Sequence, residues 1–297
     1  MRTMSQCDLC GRGDFRLLYK MTDPRYDLPG VFFLVRCESC GLIFLNPQPE
    51  WSELRYHYPS DSYEAWTPLR DRSHDPIINL WRELSQRYYL LGIPRRGSFA
   101  SLDVGCGAGD IVEEFEKRGF KATGLEPSPA ACNKARGRNL NVICASLETA
   151  NLASESFDLV TCYDVIEHVP SPSRALEEIV RITKPGGLVI VKTPNTDSLD
   201  HRLLKARFGH LDPPRHLFLM NKSTLLKYGE KIGLDVVRVW YPSLNLQVLQ
   251  ALYLKFGNIT HLLTVLASFP IDWLGMGDSV EIWFQRPHTP RVNQQGS

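Results

Sequence analysis

The chain has almost no surplus of charge of either sign: 34 Lys and Arg stand against 33 Asp and Glu in 297 residues, a formal charge of +1. That balance excludes a globally basic nucleic-acid binder. The first 60 residues hide no basic module either, with seven basic and seven acidic side chains. No run of about 18 consecutive apolar residues occurs, so no membrane span is expected. Met1 to Gln6 lack the apolar core of a secretion signal. No internal repeat is visible, and a hydrophobic fraction of 43% argues against disorder. The expectation is a cytoplasmic protein with reduced thiols. At about 150 residues per domain, the length suits one large domain or two smaller ones.

Cysteine is present but unevenly placed. Four of the eight cysteines fall within the first 40 residues, as Cys7-Asp-Leu-Cys10-Gly11 and Cys37-Glu-Ser-Cys40-Gly41. Each pair lets two thiolates converge on one ion from a tight turn, and the following glycine supplies the positive φ that such a knuckle needs. Two knuckles make a closed tetrahedral set typical of structural zinc. Strand-like runs at 15–19, 31–35 and 42–45 suit a zinc ribbon. Disulfides or a redox pair are the alternatives, and the lack of a secretion signal disfavours them. Cys132, Cys144 and Cys162 read as core residues.

From Ser98 the pattern alternates between strand and helix. Strands are expected at 99–104, 121–125, 140–144, 157–163 and 188–193, with helices at 111–118, 129–137 and 173–183 between them. Lys184-Pro-Gly-Gly187 reads as the turn before the last of these strands. A helix is expected at 222–232 and strands at 234–241 and 279–285. Such alternation implies a parallel sheet covered on both faces, with ligands bound at the carboxyl ends of its strands. Ahead of it, 77–91 reads as an amphipathic helix.

Directly after the first strand of this series comes Leu102-Asp-Val-Gly-Cys-Gly-Ala-Gly-Asp110. Its glycines permit a tight turn and close backbone approach to a ligand, although dinucleotide folds use a related loop. Asp103 ahead of the glycines, and Glu126 at the end of the next strand in Gly-Leu-Glu-Pro-Ser128, discriminate between the two. Glu126 lies where a carboxylate can accept both hydroxyls of a ribose. With Ser156-Phe-Asp-Leu-Val160, Asp164-Val-Ile-Glu-His-Val169 and Arg181-Ile-Thr-Lys-Pro-Gly-Gly-Leu-Val189, residues 98–242 resemble a class I S-adenosylmethionine-dependent methyltransferase. The resemblance implies an α/β fold: a seven-stranded, Rossmann-like sheet, mostly parallel with an antiparallel last strand, preceded by the zinc ribbon. It implies a ribbon at 1–58, a helical linker at 59–97 and a methyltransferase domain at 98–286. Within that domain lie a lid segment at 194–222 and an apolar insertion at 243–277, and residues 287–297 form a tail.

The resemblance also implies site residues. Gly105, Cys106, Gly107 and Gly109 approach the cofactor, Asp103 faces its ammonium, and Glu126 with Pro127 holds the ribose. Ser146, Leu147 and Glu148 flank the adenine; Ser146 stands where relatives usually carry an Asp. Tyr163 and Asp164 complete the set. For an acceptor hydroxyl, His168 and His216 are candidate bases near neutral pH. The domain resembles ubiquinone-pathway O-methyltransferases, in which an acid–acid–His set can hold a divalent cation. Asp164, Glu167 and His168 match those positions.

The expected function is O-methylation of a small-molecule, sugar or glycan acceptor. The alternative is an RNA or protein methyltransferase that uses the ribbon for recognition, which the neutral charge disfavours. Residues 243–277 hold only two charged groups, Lys255 and Asp272. They suit a lid or homodimer contact, or a peripheral surface for a lipid-linked substrate that would bring the protein close to a membrane.

Overall fold

A computed structural model of the chain describes residues 1–58, 92–93, 99–242 and 270–289. The expected entry helix at 77–91, nearly all of the apolar insertion at 243–277 and the tail from 290 onward lie outside the described residues. Among the described residues, no helix is long and apolar enough to cross a membrane.

The larger sheet has seven strands in the order β10-β11-β8-β7-β4-β5-β6. These strands are β4 (Ala100–Val104), β5 (Lys121–Leu125), β6 (Val142–Ile143), β7 (Phe157–Tyr163), β8 (Thr183–Pro194), β10 (Asp235–Trp240) and β11 (Ser279–Gln285). The five strands from β6 to β8 run parallel, while β11 runs antiparallel to both β8 and β10. This is the α/β architecture of the class I methyltransferases. The centre of the sheet is formed by sequence that cannot face water: Leu159 and Val160 in β7, and Val189, Ile190 and Val191 in β8, are all buried. A strand apolar on both faces must be covered on both.

Local chemistry sets the helix starts. Helix α3 (Pro129–Arg136) begins at Ser128 and α4 (Pro172–Ile182) at Ser171; each serine caps a backbone N–H of the first turn, with a proline next. Asn221 and Thr224 form a capping box at α6 (Lys222–Lys231). In α4 the apolar stripe Ala175, Leu176, Ile179 and Ile182 is buried at helical spacing. Helix α2 (Asp110–Lys117) follows the glycine loop and buries Val112 and Phe115.

Two expected boundaries differ. The strand expected at 140–144 pairs only through Val142 and Ile143. Lys184-Pro-Gly-Gly187 lies inside a continuous β8, where the register against β7 slips between the Phe157–Thr183 and Leu159–Leu188 partners. Four residues of β8, 184–187, lie opposite Asp158 alone, so turn-forming composition is absorbed by an irregular strand.

The cysteine-bearing segment forms a second sheet, ordered β1-β2-β3-β9. It comprises β1 (Phe15–Met21), β2 (Phe32–Cys37), β3 (Ile43–Leu45) and β9 (Phe218–Leu219), the last from the segment after β8. Ile43 pairs with Leu219 and Phe44 with Phe218, and the Leu45 N–H donates to the Leu217 carbonyl at 2.9 Å. A one-turn helix, α1 (Trp51–Leu54), follows β3. The segment between β8 and β9 also contains α5 (Leu199–Leu204) and a cis Pro213–Pro214 bond.

The two sheets share one apolar core. Cys7, Leu9, Phe44 and Leu45 belong to the same packed cluster as Val160, Ile179, Tyr228 and Phe284. A second cluster, with Val112, Phe115, Ile190 and Trp283, covers the opposite face of the larger sheet. The first knuckle is also tied down by polar contacts. The Asp8 carboxylate accepts from Ser171 Oγ at 2.5 Å, Ser173 N at 2.9 Å and Tyr228 Oη at 3.0 Å. Its carbonyl accepts from Lys231 Nζ at 3.1 Å.

Phe44 lies at the seam, fully buried, 5.0 Å from the Phe15 ring and 6.1 Å from the Phe218 ring. Phe44→Ala is expected to cost about 3–5 kcal/mol of unfolding free energy, measured by equilibrium urea denaturation. A loss under about 1 kcal/mol would show that the seam is not part of the cooperative core.

Candidate active site

The residues expected to hold the cofactor come from the carboxyl ends of four adjacent parallel strands. β4 delivers Asp103 and the glycine loop, and β5 delivers Glu126 and Pro127. β6 leads to Ser146, Leu147 and Glu148, and β7 ends at Tyr163 and Asp164. The glycine loop is stitched to the next strand, with Gly105 N and Cys106 N donating to the Leu125 carbonyl at 2.7 and 3.1 Å. Gly105 has φ +70°, and a Cβ there would come within 2.3 Å of Val165 Cγ2. The loop after β7 therefore lies directly against the glycine loop, and only glycine permits that approach.

The two carboxylates at this edge are poised differently. Glu126 accepts from Gly107 N at 2.9 Å through Oε2 and from Ser128 N at 2.8 Å through Oε1. Burial raises its pKa, and these two amides draw it partly back. Asp103 accepts from Thr161 Oγ1 at 2.6 Å. Burial, then the neighbouring Glu126 and Asp110, push it up to about 7 against the pull of Thr161. A cation bound beside Asp103 would favour its charged form. The Ser146 hydroxyl is engaged locally, 3.1 Å from Thr149 Oγ1. Asp164, at φ +55°, pairs with Lys192 at 2.7 Å.

Three residues beyond Val165, the structure brings the two candidate bases together. The His168 and His216 rings meet edge to face, 4.6 Å apart. His168 Nδ1 lies 3.0 Å from the Arg215 carbonyl and 3.0 Å from the Tyr58 hydroxyl; His216 Nδ1 lies 2.7 Å from the His210 carbonyl. A carbonyl only accepts, so Nδ1 carries the proton in both rings and each Nε2 keeps its lone pair. Burial lowers the pKa of His168, and burial with the adjacent His168 lowers that of His216 to about 3. Both rings are therefore neutral near pH 7.

Glu167 joins them: its carboxylate and the two histidines offer ligand atoms all within 4.8 Å of one another. Its Oε2 accepts from Thr193 Oγ1 at 3.0 Å, and its buried Oε1 has no hydrogen-bond partner among the described residues. Burial and then Asp164 push the Glu167 carboxyl up to about 8. The group that forms is thus Glu167, His168 and His216, with Asp164 turned to Lys192 instead.

The four N-terminal cysteines also converge. Their sulfurs lie within 4.8 Å of one another, with Cys7–Cys40 at 3.5 Å and Cys10–Cys37 at 3.6 Å. Gly11 and Gly41 take φ +71° and +86°, and donate to the carbonyls of Cys7 and Cys37. These are the turns that the CxxC-Gly spacing requires.

Two features were not visible in sequence. Arg215, next to His216, is fully buried between Asp23 and Asp212. Asp23 lies 192 residues away, so no local pattern joins them. Cys132 and Cys144 correct the expectation of separate, reduced core thiols. They are disulfide-bonded with Cα atoms 6.0 Å apart, and Cys144 is exposed. Periodicity places each near the sheet but does not reveal that α3 lies beside the end of β6.

Residues 79–239 match the family model described as "Methyltransferase domain". The chain is 34% identical over 154 residues to a ubiquinone biosynthesis O-methyltransferase of Coxiella burnetii, covering 50% of this chain and 63% of that protein. It is 41% identical over 101 residues to one from Alkalilimnicola ehrlichii, covering 32% of this chain and 41% of that protein. The chain thus spans less than two thirds of the length of these relatives. Among solved structures, a SAM-dependent methyltransferase from Archaeoglobus fulgidus aligns with a TM-score of 0.52 at 20% identity, over 69% of this chain and 94% of that one. Phosphoethanolamine N-methyltransferase 2 of Haemonchus contortus, in complex with S-adenosyl-L-methionine, aligns with a TM-score of 0.56 at 17% identity, over 82% of this chain and 62% of that one.

The close approach at Gly105 has a direct test. Gly105→Ala must either move Val165 or abandon φ +70°, and is expected to lower stability by more than about 1 kcal/mol. Thermal unfolding would show it; an unchanged midpoint would mean that the glycine and β7 loops are not in contact.

Proposed function

Because this chain belongs to the methyltransferase-domain family, the S-adenosylmethionine-dependent class I enzymes, we propose that it methylates an oxygen of a small-molecule, sugar or glycan acceptor. The observation that carries this reading is the contact of two neutral imidazoles with lone pairs on Nε2: His168, from the loop packed against the glycine cradle, and His216, which meets it from the segment before β9. A base is what a hydroxyl acceptor needs and what a more nucleophilic amine needs less. The name of the Coxiella burnetii relative, an O-methyltransferase, points the same way.

S-adenosylmethionine supplies an electrophilic methyl on a sulfonium. The chain's own residues hold and align. The Gly105–Gly109 backbone admits close approach, Asp103 offers a carboxylate to the ammonium, and Glu126 has lone pairs for the ribose hydroxyls. Much of the rate then comes from holding acceptor oxygen, methyl carbon and sulfur in line. His216 Nε2 would take the proton that the acceptor hydroxyl gives up on methylation. His168, 4.6 Å away, completes the wall beside it.

A second reading of the same cluster is a divalent cation held by Glu167, His168 and His216. It is favoured by the unpartnered Glu167 Oε1 and by the commitment of both Nδ1–H groups to carbonyls, the usual support for a ligating imidazole. At the N-terminus, the Cys7, Cys10, Cys37 and Cys40 thiolates suit a structural zinc ion. An RNA or protein acceptor is less well supported, because the cysteine module is packed into the shared core through Asp8 and β9.

Calorimetry should show S-adenosylhomocysteine binding and no binding of NAD; NAD binding alone would end this reading. With catechols and free sugars as trial acceptors, His216→Ala should cut S-adenosylhomocysteine formation by at least about 100-fold, while cofactor affinity stays within about threefold. Unchanged turnover would remove His216 from the chemistry. Elemental analysis should find about one zinc per chain at the cysteines, and a strong chelator should lower the unfolding midpoint. Metal-free protein of undiminished stability would exclude the structural ion.

A further inference from the structure

We propose that Asp23 and Arg215 form a positioning device through which the cysteine module sets the orientation of His168 and His216. The proposal rests on the reading of those histidines given above, and its geometry is independent of any bound group.

The Arg215 side chain is fully buried, and all five of its N–H donors are used. Nε and Nη2 donate to the Asp212 carboxylate at 3.1 and 2.6 Å. Nη2 and Nη1 donate to Asp23 Oδ1 and Oδ2 at 2.6 and 2.9 Å, and Nη1 also donates to the His57 carbonyl at 3.2 Å. The Tyr26 ring lies 5.0 Å from the guanidinium carbon. Asp23 is held in turn by the Arg25 and Tyr26 amides, at 3.0 and 3.2 Å, and by His57 Nδ1 at 2.9 Å. Any rotation of the guanidinium would break charge-assisted hydrogen bonds to two buried carboxylates at once, which holds the arginine in one orientation.

That constraint reaches the histidines through the backbone. The Asp212 carbonyl accepts from both Arg215 N and His216 N, at 3.0 and 3.1 Å. The turn from 212 to 216 therefore moves as a unit with the guanidinium. The Arg215 carbonyl is the acceptor for His168 Nδ1 and sets the tautomer of that ring. His216 is the next residue, and its ring rests on that of His168. Asp23 lies in the connection between β1 and β2 and His57 just after α1, so half of the clamp belongs to the cysteine module. Asp23 and Arg215 are accordingly positioning residues. They fix which nitrogen of His168 is bare, and through the 212–216 turn they set where the His216 ring, the proposed proton acceptor, rests against it.

Heteronuclear NMR of the imidazole nitrogens in the full-length protein reads the tautomer of each ring. In wild-type protein both His168 and His216 should be Nδ1–H tautomers, and the Arg215 Nε–H should be protected from solvent exchange. Either feature missing would overturn the proposal without any variant. In Asp23→Asn, and in Arg215→Lys, which keeps the charge but loses the fork, His168 should lose its single tautomer. S-adenosylhomocysteine affinity should stay within about threefold of wild type. A folded variant of either kind with both tautomers intact would refute the coupling. Should both variants unfold, the wild-type measurement alone decides. The functional reading fails by a different result, unchanged turnover in His216→Ala, which has no bearing on the wild-type spectra.

Discussion

A guanidinium removed from water must find an acceptor for every N–H it carries, and for Arg215 those acceptors are Asp212, Asp23 and the His57 carbonyl, from three segments of chain. Asp212 is three residues away and Asp23 is 192 residues away. Burial alone would raise the pKa of Asp23, yet Arg215, His57 and two backbone amides hold it well below the ordinary carboxylate range. Such an arrangement contributes less to net stability than to uniqueness, because each alternative leaves an unpaired charge inside. The β1–β2 connection, the cis-proline turn and the start of β9 are thereby brought into one register.

The same constraint changes how the cysteine module is understood. Its spacing suggests a separate small recognition domain. In the folded chain its last strand pairs with β9, its first knuckle is tied to α4 and α6 through Asp8, and its apolar residues belong to the main core. A module too small to bury enough apolar surface alone finds that surface on its neighbour. Its place in the architecture is that of a wall beside the histidine cluster.

The glycine cradle was legible in sequence because its chemistry is local. Gly105, Gly107 and Gly109 stand where the backbone must take positive φ, and Asp103 and Glu126 terminate strands whose apolar runs announce them. The CxxC-Gly knuckles were legible for the same reason. Less legible were features that depend on what lies across a gap in sequence. These include the disulfide between Cys132 and Cys144, the bulge that carries Pro185-Gly-Gly187 through β8, and the pairing of Asp164 with Lys192. His168 and His216 were each visible as candidates, yet their edge-to-face contact and the addition of Glu167 were not.

By itself, then, the sequence determined the order of strands and helices, the glycine-rich loop after β4 and the four convergent thiols. All of these follow from periodicity and from short-range backbone geometry. The tertiary structure decided which nitrogen of each histidine is bare, which carboxylate stands beside them and which half of the chain holds them still. Those properties belong to buried polar groups, whose partners are set by the packing of remote segments in a medium that does not tolerate an unpaired charge.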